Sequence, residues 1–144
     1  MNIMIFYILS FTWGLPITLA GSLAVLFLIL TGNKPKGKYG YCVRFEVGDT
    51  WGGLNLGPFI ITCKNFDDSL LNHEHGHAIQ NCWFGLLMPF IITIPSAIRY
   101  WYREVKFYKK GLRPITAYDS IWFEGQATRV GTKFMNRHDT VEKD

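Results

Sequence analysis

Charge is absent from the first stretch of this chain: between Ile3 and Thr31 there is no Asp, Glu, Lys or Arg. An apolar run of that length can cross a bilayer with length to spare. It also lacks the basic start and small-residue cleavage site of a secretory signal, being followed instead by Asn33-Lys34-Pro35-Lys36, so it reads as a retained anchor. Gly14-Leu15-Pro16 interrupts it, which predicts a kink or a break into a short first piece and a spanning piece from Leu15 to Leu30. Cysteine is scarce as well. Cys42, Cys63 and Cys82 are odd in number and lack Cys-x-x-Cys spacing, which argues against a disulfide framework and for reduced thiols. No phosphate loop, nucleophile elbow or internal repeat is present.

The charge that is present sits in clusters. Lys and Arg total 15 against 11 Asp and Glu, a formal charge of +4. Lys34, Lys36 and Lys38 follow the first apolar run; Arg99, Arg103, Lys106, Lys109 and Lys110 follow a second, from Trp83 to Ile98. That placement suits anionic lipid headgroups, and no nucleic-acid recognition fold accompanies it, so the expected partner is a lipid bilayer and not nucleic acid. The positive-inside bias puts Lys34 to Lys38 and the residues after them on the cytoplasmic side of a cell inner membrane, while basic residues beside both apolar runs leave the orientation open. As helix the second run is only about 24 Å long, and it carries Pro89 and Pro95. It is expected to be re-entrant, interfacial, or a span completed by the aromatic belt Arg99-Tyr100-Trp101-Tyr102-Arg103 at headgroup level.

Between the apolar runs the period changes. Tyr41 to Val47 alternates as a half-buried strand does, Gly48-Asp49 and Gly52-Gly53 are turn residues, and Leu54 to Thr62 looks like a returning strand broken at Gly57-Pro58. A β-hairpin is expected. Asp67-Asp68-Ser69 then supplies helix-start chemistry ahead of Leu70-Leu71.

That helix carries three of the four histidines, in Asn72-His73-Glu74-His75-Gly76-His77. On a helix, His73 and His77 stand one turn apart on one face, and Glu74 lies about 100° further round. Two imidazoles and a carboxylate at this spacing suit a tetrahedral zinc with one open position and a water held by Glu74. His75 points away from that face and is expected in a supporting or surface position. Gly76 costs about 1 kcal/mol against Ala in a helix, so another backbone is expected close by. Gln80 continues the ligand face one turn later, either at the edge of the site or as a polar residue at the membrane boundary.

A catalytic zinc needs a third protein ligand. Of the downstream carboxylates, Glu124 is the candidate: it sits in Tyr118-Asp119-Ser120-Ile121-Trp122-Phe123-Glu124-Gly125-Gln126-Ala127, a helical composition after Pro114. Ala127 and Gly131 follow it at i+3 and i+7, a stripe of small residues on which the histidine helix can lie close. Asp119 is placed to orient a ligating imidazole rather than to ligate. His138 falls in a polar tail.

With these residues in hand, His73-Glu74-His75-Gly76-His77 followed by Glu124-Gly125-Gln126-Ala127 resembles the gluzincin pattern of zinc metallopeptidases, and within it the small membrane-bound bacterial type. The resemblance implies His73, His77 and Glu124 as zinc ligands, Glu74 as general base, a peptide or protein substrate, and Tyr118 as the nearest candidate oxyanion donor. Thr128 stands where the pattern often has Asp. The expected architecture is therefore an α+β membrane protein: an N-terminal transmembrane helix at 1–32, then a metallopeptidase-like domain at 33–136 with a β-hairpin, zincin-like helices and the second apolar segment, then a polar tail at 137–144. The expected activity is hydrolysis of peptide bonds by metal-activated water; the alternative is a non-catalytic, structural metal site in a membrane protein.

Overall fold

The structure is a computed structural model that describes residues 1–141, with side chains up to Arg137. It is an α+β fold of five α-helices and one four-stranded sheet among the described residues. The N-terminal apolar run forms α1 (Ile3–Phe11) and α2 (Leu15–Leu30), bent by 92° at the Gly14 break, where Pro16 takes the first turn of α2 without needing an amide donor. Among the described residues no single helix is long and apolar enough to cross a membrane. The 16 residues of α2 cover about 24 Å, short of a hydrocarbon core of about 30 Å. The expected break at Gly14-Leu15-Pro16 is present, but the expected spanning piece from Leu15 to Leu30 is too short to span alone. The inner side of the bent pair is packed: Phe6 lies among Cys42, Leu71 and Cys82, while Ile17 meets Met88, Ile92 and Phe123.

The expected hairpin between Tyr41–Val47 and Leu54–Thr62 does not form. The sheet contains β1 (Pro35–Tyr39), β2 (Cys42–Glu46), β3 (Gly53–Leu56) and β4 (Phe59–Thr62) in the order β1-β2-β4-β3. The returning segment folds on itself at Gly57-Pro58, Gly57 taking a φ of 64° that only glycine adopts without strain, so β3 and β4 are the hairpin. β4 then pairs in parallel with β2, Val43 facing Phe59 and Glu46 facing Thr62. β1 pairs antiparallel with β2 and keeps Lys36 and Lys38 on an exposed edge, chemistry that discourages pairing with another chain.

α3 (Asp68–Phe84) starts at Asp67, whose carboxylate accepts from the Leu70 amide at 2.9 Å. It packs against α5 (Trp122–Val141) with the sheet on its other side. α5 runs through most of the stretch read as a polar tail; the side chain of His138 and residues 142–144 lie outside the described residues. Between α3 and α5 the second apolar run makes a short 3₁₀ turn (Gly85–Leu87), a π-helical stretch (Pro89–Thr93) and α4 (Ile94–Lys106), with a bend of 116°.

Candidate metal centre

The seam between α3 and α5 brings the distant ligand candidates together. A Cβ on Gly76 would overlap the Ala127 carbonyl, and one on Gly131 would overlap the Asn72 carbonyl. Each helix therefore shows bare backbone where the other comes closest, which is why a helix-weakening glycine stands one residue before His77. At that separation His73 and His77 of α3 reach Glu124 of α5. His73 Nε2 lies 3.0 Å and His77 Nε2 3.1 Å from Glu124 Oε2, and the two Nε2 atoms are 3.2 Å apart.

The hydrogen-bond network fixes what those atoms present to one another. Gln80 donates both amide hydrogens, to the Phe123 carbonyl at 2.8 Å and to Gln126 Oε1 at 2.9 Å. Its own Oε1 is left to accept from His77 Nδ1–H at 2.7 Å. Thr128 donates to the Glu124 carbonyl at 3.2 Å and accepts from His73 Nδ1–H at 2.9 Å. With hydrogen on both Nδ1 atoms, each Nε2 presents a lone pair, and three acceptors converge on a near-equilateral triangle. Around a four-coordinate zinc with bonds of about 2.0–2.1 Å, adjacent ligand atoms stand roughly 3.3 Å apart, close to these spacings. The donor set, its geometry and the orientation of both imidazoles fit a metal ion, and the buried His73, His77 and Glu124 can hold one. Glu124 Oε1 is buried and has no hydrogen-bond partner.

The electrostatics agree that something positive belongs there. Burial works against a charge on Glu124, yet the two imidazoles hold its carboxyl well below the ordinary carboxylate range. Burial likewise opposes charge on His77, but the Glu124 hydrogen bond and the Glu74 carboxylate outweigh it and raise the imidazole above its ordinary value. Those shifts describe a proton on the triangle, and the tautomers above describe the triangle with a cation in its place. The two descriptions are alternatives, and a metal must displace the proton.

Glu74 flanks the triangle on the side of β3. A Cβ on Gly53 would stand 2.9 Å from Glu74 Oε1, so glycine there makes space for the carboxylate, and the Asn55 backbone N–H donates to it. Burial raises the Glu74 carboxyl, the nearby His77 and His73 pulling the other way. Tyr118 lies on another side, its ring centroid 6.2 Å from that of His73. Burial, with a smaller contribution from the Glu124 charge, pushes its phenol to about 12, so it stays protonated and able to donate. Its hydroxyl is 3.3 Å from Ser96 Oγ.

Other expectations meet different outcomes. Gln80 lies inside the site, and Thr128 takes the imidazole-orienting position; Asp119 is exposed. Thr128 was legible as the hydroxyl four residues after Glu124, one turn up the same face. His75 is not exposed and is no part of the triangle: it is fully buried, stacked with Phe6 and tilted against Phe134, and its Nε2 accepts from the Tyr41 backbone N–H at 3.2 Å. Arg99 and Arg103, read as part of a headgroup belt, turn inward instead. Arg99 donates to the Tyr118 and Ala117 carbonyls and Arg103 to the Thr116 carbonyl, each at 3.0–3.1 Å, and both guanidinium groups lie over the Tyr118 ring. Comparison with protein-family models, with curated proteins and with solved structures finds no match to this chain.

Proposed function

We propose that this chain is a membrane-associated zinc-dependent peptidase. The observation that carries the reading is the convergence of two lone-pair nitrogens and one carboxylate oxygen within 3.2 Å of each other, with a fourth side chain, Glu74, buried beside them. Two imidazoles and one carboxylate are a donor set that favours zinc with a position left for substrate. Zinc in such a site polarises a carbonyl and lowers the pKa of water.

The protein's own groups then have defined tasks. Glu74 takes the proton of the attacking water and delivers it to the departing amine. A carboxyl raised by burial is a stronger base than an ordinary one, so when ionised it takes the proton of water more readily. The protonated phenol of Tyr118 donates to the developing oxyanion. β3 is a sheet edge beside Glu74, where an extended peptide can add as a further strand. Membrane association is supported by the apolar side chains exposed on α1, α2 and α4, among them Ile8, Leu23, Phe27, Leu30 and Ile98.

A second reading, a non-catalytic metal site that ties α3 to α5, draws support from the depth of the ligands, which are 0–9% exposed. Glu74→Gln separates the two. In the purified protein, metal content should match wild type while hydrolysis of an unstructured peptide is lost. His77→Ala should lose both. Undiminished hydrolysis by Glu74→Gln would end the peptidase reading, and absence of bound metal in wild type would end both.

A further inference from the structure

α4 has two opposed faces, and each has a different occupant. At 100° per residue, Ser96, Arg99 and Arg103 share one side of the helix, and Ile94, Ile98, Trp101 and Val105 share the other within about 60° of arc. The first side is the grip on residues 116–120 described above: Ser96 meets the Tyr118 hydroxyl, Arg99 and Arg103 hold the surrounding carbonyls, and Arg103 is only 6% exposed. The second side touches nothing that hides it, Ile98 being 64% and Trp101 61% exposed. The apolar side chains on it form an open groove that continues to Lys106 and Lys110.

We infer that the outward face of α4 lies in the plane of a bilayer surface bearing anionic headgroups. Three observations select lipid over a protein partner. Lys106, Lys109 and Lys110 are exposed at the end of the apolar stripe, and so are positioned for headgroup charge while the stripe enters the acyl boundary. Trp101 and Tyr102, both exposed, are the residue types that settle at that boundary. Further exposed apolar side chains, Leu86, Leu87 and Phe90, precede α4 in the chain. Among the described residues no single helix is long and apolar enough to cross a membrane, and α4 carries Arg99, Arg103, Glu104 and Lys106 within its length, so it lies flat. Its inner face then transmits the contact: the bilayer holds the helix that holds Tyr118 beside the metal triangle. This deepens the membrane part of the function proposed above and rests on it.

Site-directed nitroxide labels test it in the full chain, reconstituted in phosphatidylcholine vesicles with and without phosphatidylglycerol. Cys63→Ser removes the one thiol that is not buried, and Ile94→Cys, Ile98→Cys, Trp101→Cys or Val105→Cys supplies the label. The expected result is one shallow depth for all four labels, read from relaxation by oxygen against a water-soluble nickel complex. With phosphatidylglycerol present, Lys106→Gln/Lys109→Gln/Lys110→Gln should shift the labels toward water by roughly a hundredfold in partition, at about tenfold or less per lysine. Depth increasing steadily from 94 to 105 means a spanning segment and overturns the inference. Four water-exposed labels overturn it, as does spin–spin broadening between molecules, which would assign the face to a second copy. An unchanged triple-lysine variant overturns the headgroup assignment. A Leu23→Cys label separates the failures: if it contacts lipid while the α4 labels do not, only the inference falls, and if neither does, the membrane reading falls with it. None of these readouts depends on hydrolysis.

Discussion

α3 and α4 follow one another in the chain and invert the usual rule in opposite directions. α3 buries side chains that water would solvate: His73, Glu74, His75, His77, Gln80 and Asn81 are all at most 9% exposed. α4 exposes side chains that water rejects, from Ile94 to Val105. Buried polar groups persist only where partners satisfy them. His73, His77 and Gln80 find theirs on α5, His75 at Tyr41, Glu74 at Asn55 and Asn81 at Gly14, and the candidate metal triangle is the point where protein donors run out. Exposed apolar groups persist only where something outside covers them, or at a cost in solubility. The inward departure from the rule therefore marks a ligand site, and the outward one marks a surface for a partner. Each half can be broken separately.

The largest expected effect is on the seam. Gly131→Ala places a methyl group inside the Asn72 carbonyl, and neither helix can yield without moving the ligands. Despite the roughly 1 kcal/mol that Ala gains over Gly in a helix, a net loss of about 3 kcal/mol is expected. It should appear as a fall of roughly 10 °C in Tm and a loss of bound metal. A variant with wild-type Tm would show that α3 and α5 are not held together at this point.

Tyr118→Phe comes next. If Tyr118, whose ring lies beside His73, supplies the oxyanion donor, removing its phenol lowers kcat by about 10²–10³-fold with metal content unchanged. Equal kcat would leave Tyr118 as a packing residue for Arg99 and Arg103. Gln80→Ala removes the acceptor that sets the His77 tautomer and should weaken metal binding by about 10–100-fold in a competition titration. Gln80→Glu, which keeps an acceptor there, should restore most of it.

The smallest effect is one of pH. Because His77 is raised above its ordinary value by Glu124 and Glu74, against the pull of burial, the competing proton is held up to a higher pH than on a free imidazole. Metal affinity should fall as pH drops through that value, by at most about tenfold per unit for one displaced proton, and level off above it. Titration across neutral pH checks the sign; affinity independent of pH would mean that the site binds metal without displacing a proton from His77.

Much of the site was legible before the fold was. The i, i+4 imidazoles, the glycine between them and the Glu124-Ala127-Gly131 stripe all belong to helices, whose period reports which residues share a face. The break at Gly14-Leu15-Pro16 was legible because Gly and Pro punctuate a helix, and α2 begins at Leu15. The sheet was not. Alternation at Tyr41–Val47 identifies a strand but not its neighbour, so the parallel pairing of β2 with β4 left no trace in the residues. β1 was hidden because an exposed edge strand of Lys and Gly has no apolar alternation to detect. The arginines of α4 misled because charge beside aromatics reads as a headgroup belt, whereas their spacing with Ser96 was the sign of a shared inward face.

The elbow at the end of α1 bears on how this protein can be handled. Asn81 donates to the Gly14 carbonyl at 3.3 Å, Trp13 reaches the Trp83 carbonyl at 3.4 Å, and the Trp13 ring occupies the space that a side chain on Gly85 would need. The leading helices thus serve as the lid over the far end of the histidine helix, so cutting the chain at residue 32 would not release a trimmed, water-loving fragment. It would strip Phe6 from its place among Leu71, Cys42 and Cys82 and leave a wound in the interior.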